Sequence, residues 1–155
     1  MNLTPVQIAP DSAQLPEVLD LIRRSFAYME GRIDPPSSMH RLTVADLAAA
    51  ATNGEIWAIG APVVACVVLT PKADAFYIGK LSVDAAQRGT GLARVLIDLA
   101  AKRAAVRGLK ALELQVRVEL TENQATFRAL GFTQTDATAH LGFDRPTSLT
   151  MQREI

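Results

Sequence analysis

Apolar residues recur along this chain in two rhythms, and the switches between them mark its elements. Val6–Ala9 reads as a short strand closed by Pro10. Val18, Leu19, Leu21, Ile22 and Phe26 then fall at helical spacing. They predict a helix running to about Met29, with Asp11 or Ser12 as its cap and Pro16 tolerated near the first turn. Glu30–Arg41 breaks the pattern with Gly31, Pro35 and Pro36. Thr43 is placed to cap a second helix that carries Asp46 in its first turn and ends at Gly54. Three strand-like runs follow: Glu55–Ile59, Val63–Leu69 and Phe76–Val83. Their short separators, Gly60-Ala61-Pro62 and Thr70–Asp74, predict antiparallel neighbours. Leu92, Val95, Leu96, Leu99 and Val106 return to one helical face, which Gly108 closes. Ala111–Val118 alternates apolar with polar residues as a strand does. Thr121 to Gln124 has the spacing of a capping box for a last helix, stopped by Gly131. Phe132–Thr135 and Ser148–Arg153 read as closing strands.

The predicted order is therefore β-α-α-β-β-β-α-β-α-β-β, with no internal repeat and no linker. Antiparallel strands feeding one βαβ unit give an α/β class built on a mixed sheet with helices on its faces. A single domain over 1–155 is expected, since 155 residues suffice for one substantial core.

Composition narrows the functional classes. Lys plus Arg and Asp plus Glu are equal at 16 each, so no global basic field draws the chain to nucleic acid. The N-terminal residues lack a basic region followed by a long apolar stretch, and no apolar run approaches the roughly 20 residues of a membrane helix. A soluble cytoplasmic protein without a membrane partner is the expectation. Cys66 lies inside an apolar run, where a thiol is a small core residue rather than a nucleophile. One cysteine and two histidines without ligand spacing predict no metal site.

The stretch from Gly79 to Ala93 carries the chemistry. A strand ends, a turn with Gly89 and Gly91 follows, and a long helix begins. The first amides of a helix lack internal partners and sit at its positive end. Glycines let a bulky anion approach them, so phosphate or pyrophosphate is the natural ligand. Arg88 and Arg94 add charge. A P-loop is absent, because the four-residue spacing and the following Lys-Ser/Thr are missing. A dinucleotide fingerprint fails at position 94, which is Arg, although Glu113 falls about where a ribose-binding acid would. An ordinary strand–turn–helix junction stays open on Arg88–Ala93 alone.

Two motifs together decide the reading. Arg88-Gly89-Thr90-Gly91-Leu92-Ala93 resembles the Gln/Arg-x-x-Gly-x-Gly/Ala motif of the GCN5-related N-acetyltransferases (GNAT). About thirty residues on, Asn123, Phe127 and Gly131-Phe132 resemble that family's last block, Asn-x-x-x-Tyr/Phe-x-x-x-Gly-Phe. The resemblance is specific from Tyr77 to Phe132. It implies acetyl transfer from acetyl-CoA to a primary amine by direct attack in a ternary complex. The acceptor stays open among amino acids, polyamines, antibiotics, peptide termini and lysine; the mixed charge of the loop Tyr28–Arg41 fits a small-molecule, zwitterionic acceptor better than a polycation. The resemblance also implies that the strand pair around the motif splays, with Leu81, Ser82 and Val83 binding the pantetheine arm of coenzyme A. Arg88, Gly89, Thr90, Gly91, Leu92, Ala93 and Arg94 would hold the pyrophosphate, and Asn123 and Phe127 would meet the thiol end. A homodimer is compatible with the resemblance.

Phe127 departs from the tyrosine that many members carry, whose hydroxyl is thought to protonate the departing thiolate. An unassisted thiolate of pKa about 8.5 costs only about 2 kcal/mol at neutrality, whereas deprotonating an amine of pKa about 10.4 costs about 4.6 kcal/mol. A base therefore matters more than the missing acid. Glu119, near the end of the fifth strand, and His40, an imidazole in the loop after the first helix, are the sequence candidates; Asp34, Ser82, His140 and Asp144 are weaker ones. Tyr28, Glu30 and Arg32 in the turn-rich loop Tyr28–Arg41, and Arg117 on the fifth strand, are the candidate acceptor contacts. A non-catalytic sensor of coenzyme A remains the alternative.

Overall fold

The computed structural model describes residues 2–155, and its central feature is one seven-stranded sheet. The strands are β1 (Val6–Ile8), β2 (Glu55–Ile59), β3 (Ala65–Pro71), β4 (Ala75–Val83), β5 (Ala111–Arg117), β6 (Thr133–Thr138) and β7 (Ser148–Glu154). The helices are α1 (Leu15–Ala27), α2 (Val44–Asn53), α3 (Leu92–Val106) and α4 (Thr121–Ala129), joined by two short 3₁₀ turns at Ser38–Arg41 and Ala85–Gln87. The element order matches the sequence reading. Strands lie in the order β1-β2-β3-β4-β5-β7-β6, antiparallel throughout except for the parallel pair β4–β5.

Two hydrophobic cores flank the sheet. Leu15, Val18, Leu19, Leu21 and Ile22 of α1 and Leu47 of α2 pack with Ile56, Cys66 and Val68. Leu92, Leu96, Ile97, Ala100 and Ala104 of α3 pack with Val67, Leu69, Phe76, Leu112 and Leu114. β3 is buried on both faces because helices cover both, which is why it reads as an unbroken apolar run rather than an alternation.

Several element ends differ from the sequence reading. α1 starts after Gln14 without a side-chain cap, and Ser12 Oγ instead accepts from the Gln14 amide at 3.1 Å. Thr43 does form the expected cap, reciprocally with Asp46. The capping box expected at Thr121–Gln124 is not formed: Leu120, buried, takes the N-cap position, and Gln124 turns inward to donate to the carbonyls of Arg117 and Val118. β3 begins at Ala65 rather than Val63, since the Val64 amide closes the preceding turn onto Ile59.

Glu55 is the buried charge of the fold, with 1% of its surface exposed. Its carboxylate accepts from Arg103 Nε and Nη2 at 2.8 and 3.1 Å, Arg107 Nε at 2.8 Å and Trp57 Nε1 at 2.8 Å, joining the start of β2 to the C-terminal half of α3. Burial alone would push its pKa up, but the bonds from Arg103, Trp57 and Arg107 outweigh it and bring the group from 4.5 to about 2. A carboxylate depressed in this way stabilises the fold above pH 4.5, and that contribution disappears as pH falls toward 2. Replacing Glu55 by Gln leaves two guanidinium groups facing a neutral amide, and we expect a loss of about 3 kcal/mol at pH 7. Urea denaturation at several pH values checks this: the gap between wild type and variant should close on acidification through that window.

Candidate active site

β4 and β5 are hydrogen-bonded neighbours only at their beginnings, where Ala75–Tyr77 meets Ala111–Glu113. Beyond Tyr77 and Glu113 no register continues, so the strands part. Ile78–Val83 remains paired with β3 on one side and presents its other backbone edge to the gap. β4 carries an extra residue between Gly79 and Ser82 opposite Val67, with Lys80 at φ 53. Such a bulge bends a strand and strengthens its twist, here at the point of separation. Ser82 Oγ is turned back onto the Lys80 carbonyl at 3.0 Å.

The gap opens into a cleft of about 1020 Å³, large enough for an extended ligand. At one end lies the turn into α3. Gly91 takes the N-cap position at φ 89, and no side chain caps the helix. The amides of Gly89, Gly91, Leu92, Ala93 and Arg94 have no acceptor among the described residues, so they can receive an oxyanion at the positive end of a 15-residue helix. Two amides of the predicted set are otherwise engaged: Arg88 donates to the Ala85 carbonyl and Thr90 to Gln87, each at 3.4 Å. Thr90 Oγ1 also turns to Gln87, and Thr90 is absent from the cleft wall.

Leu81, Ser82, Val83, Arg88, Gly89, Gly91, Leu92, Ala93, Arg94, Asn123 and Phe127 all line this cleft, joined by Tyr28, Arg32 and Arg117. The structure therefore brings together most of the residues that the sequence singled out. Phe127 packs edge-on against Phe132, ring centroids 6.0 Å apart, so it also belongs to the α4 side of the core. Asn123 Nδ2 donates to the Tyr28 hydroxyl at 2.8 Å, reaching from α4 to the end of α1. The Tyr28 ring lies beneath the guanidinium groups of Arg32 and Arg88, 5.4 and 5.6 Å from its centroid. Arg32 pairs with Glu122, whose carboxyl is held below its usual range by its own backbone amide and by Arg32.

Six predicted residues lie outside the cleft wall: Thr90, Glu30, Glu119 and His40, and the weaker candidates Asp34 and Asp144. Glu30 is exposed. His40 is exposed in the 3₁₀ turn Ser38–Arg41, its Nδ1 2.9 Å from the Ser37 carbonyl. Glu119 Oε2 accepts from the Asp34 amide at 3.0 Å, while its Oε1 is buried without a partner among the described residues. The His40 and Glu119 side chains are both directed to the loop after α1. Cys66 is fully buried, and burial pushes its thiol up to about 12, which removes it as a nucleophile.

His140, ranked below His40 by sequence, does line the cleft. It sits in the β6–β7 connection, where its backbone amide donates to Thr147 Oγ1 at 2.9 Å and its Nδ1 contacts the same oxygen. Thr147 is buried and directs its hydroxyl to the Thr138 carbonyl at 3.4 Å. With the hydroxyl proton on the Thr138 carbonyl, the ring proton would sit on Nδ1 and leave a lone pair on Nε2. No local motif marks this residue: it is the pairing Thr138↔Ser148 that folds the connection back and brings residues 140 and 147 together.

Residues 15–132 match the family model described as Acetyltransferase (GNAT) family. No curated protein matches the chain by sequence. Among solved structures, PaiA N-acetyltransferase from Thermoplasma acidophilum in complex with coenzyme A superposes with a TM-score of 0.83 at 12% identity, covering 100% of both chains. The ribosomal-protein-S18-alanine N-acetyltransferase from Escherichia coli gives 0.72 at 18% identity, covering 98% of this chain and 94% of that one. A GNAT family acetyltransferase from Elizabethkingia anophelis with acetyl-CoA bound gives 0.71 at 17% identity, covering 99% of each. At these identities the likeness is one of fold. No helix among the described residues is long and apolar enough to cross a membrane.

Proposed function

Because the chain belongs to the GNAT acetyltransferase family, we propose that it transfers an acetyl group from acetyl-CoA to a primary amine of a small acceptor. The observation that carries this reading is the parting of β4 and β5 beside a helix start with free amides. An extended arm can lie along the unpaired edge of Leu81–Val83 as an added strand would. The amides of Gly89 and Gly91–Arg94, with the Arg88 and Arg94 guanidinium groups, take the diphosphate. A Cβ at Gly89 or Gly91 would meet nothing within 4 Å, so the space above these two residues is free for phosphate oxygens.

Acetyl-CoA, when bound, supplies a thioester whose C–S bond breaks as the acceptor nitrogen forms a C–N bond. The residues manage the protons. His140 Nε2 takes the proton that the attacking amine must lose, with Nδ1–H fixed on Thr147. His140 is preferred in that role to His40 and Glu119, which do not line the cleft. Phe127 has no proton to give, but a hydroxyl stands beside Asn123, one helical turn before it. Tyr28 accepts from Asn123 and keeps its own proton free to meet the departing thiolate. Tyr28 and Arg32 also form the acceptor side of the mouth.

A panel of small amines incubated with acetyl-CoA, followed by release of free thiol, tests the reading. We expect turnover with at least one class, and Phe127→Tyr should retain it within about threefold, because the needed donor is already supplied from the end of α1. Confirmed coenzyme A binding with no thiol release across the panel, in both proteins, would favour a sensor of coenzyme A instead.

A further inference from the structure

Arg117 is a guanidinium held at the cleft without a carboxylate. It ends β5 on the face opposite Leu112, Leu114 and Val116, which pack against α3, and it therefore faces the loop that follows α1. Nη1 donates to the Pro35 carbonyl at 2.7 Å and Nη2 to the Pro36 carbonyl at 3.4 Å. Both acceptors are neutral, and no ion pair among the described residues includes Arg117. Of its acidic neighbours, Asp34 faces Arg145 at 3.6 Å, and Glu119 turns its Oε2 to the Asp34 amide rather than to the Arg117 guanidinium. The partial burial of Arg117 lowers its pKa, with the charges of Glu119 and Asp34 only opposing that effect.

A guanidinium has five N–H donors in a rigid plane, and two carbonyls here fix the plane while using part of the set. A half-buried cation with donors to spare favours a planar oxyanion as partner. The cleft wall says the same from the other side. The one carboxylate that lines it among the described residues, Glu122, is already paired with Arg32, so no free acid among them waits for a second ammonium.

Resting on the acetyl-transfer reading, we propose that the acceptor is an amine that also carries a carboxylate, an amino acid in the broad sense, and that Arg117 receives that carboxylate. Holding the anion at the end of β5 directs the amino group toward the gap beside Ser82. Polyamines and lysine-rich segments, which need acids along the wall, are disfavoured.

The test compares free amino acids with their carboxamides, each with acetyl-CoA, in wild type and in Arg117→Gln and Arg117→Lys. Wild type should favour the carboxylates by about 30-fold or more in kcat/KM, the range of a charge-assisted pair. Arg117→Gln should erase that preference through KM for the carboxylates, leaving the carboxamides and coenzyme A binding by calorimetry within about threefold. Arg117→Lys, which keeps the charge but not the fork, should retain part of it. Wild-type turnover without preference for carboxylates, or an equal loss on both acceptor classes in Arg117→Gln, would overturn the assignment alone and leave Arg117 as a strut for the loop. Absence of turnover by wild type with every acceptor would overturn the acetyl-transfer reading and this one with it.

Discussion

Gly91→Glu is expected to lower the affinity for coenzyme A by about a thousandfold, roughly 4 kcal/mol. Two effects add. Gly91 is held at φ 89, a region that costs a side-chain-bearing residue about 1–2 kcal/mol. The new carboxylate would also stand where the free amides now offer the positive end of α3 to phosphate oxygens. Gly91→Ala separates the two effects. A Cβ at that position meets nothing within 4 Å, so alanine adds backbone strain without charge or clash. It should cost no more than about tenfold. Titration calorimetry with coenzyme A measures both variants, and equal affinities for wild type and Gly91→Glu would remove the diphosphate from this turn.

His140→Gln is the second large effect. A positioned base contributes about a hundredfold to ten-thousandfold to turnover. Gln preserves a polar contact to Thr147 but cannot take the amine proton. We expect kcat to fall by at least about a hundredfold, with coenzyme A affinity unchanged and the limb of the pH–rate profile that reports the base removed. His40→Gln, in an exposed turn away from the cleft, should leave kcat within about twofold. The comparison of the two histidines is decisive, since a reversed result would return the base to the α1–α2 loop.

Much of the scaffold was legible because burial writes its pattern into the residues. β2 falls at Glu55–Ile59 as read, and α3 begins at Leu92 once its buried face is recognised. The edge strand β6 is longer than its sequence pattern suggests, for the opposite reason. Thr133–Thr138 is exposed at every residue, so neither face leaves an apolar rhythm to detect. The end of α1 falls two residues short of Met29, because Met29 continues the apolar face into a turn that is no longer helical. Capping at α4 failed as a reading because Gln124 had two possible partners, and only the path of the chain after β5 decides between them.

The site divides along the same line. Positions near Gly91 were accessible because turn, glycine and helix start are adjacent in sequence. His140, Tyr28 and Arg117 depend on where three separate connections bring them, and loop direction is a tertiary property. His40 attracted attention as an imidazole in a turn-rich loop, yet that loop directs Ser37, Ser38 and Met39 to the cleft and His40 away from it. Glu119 belongs to the same case. Its position two residues past the end of β5 agrees with the sequence reading, whereas the loop it clasps was not visible there.

The buried cluster around Glu55 has a reach beyond its own neighbourhood. α3 is a rod of roughly 22 Å, and Arg103 and Arg107 moor its far end to the first residue of β2. A rod moored at one end points its other end in a fixed direction. A small swing at Arg103 would sweep the amides at Gly91 off target, even though no atom near the cleft had changed. Mutational scans for loosened nucleotide grip should therefore include this distant anchorage as well as the turn itself.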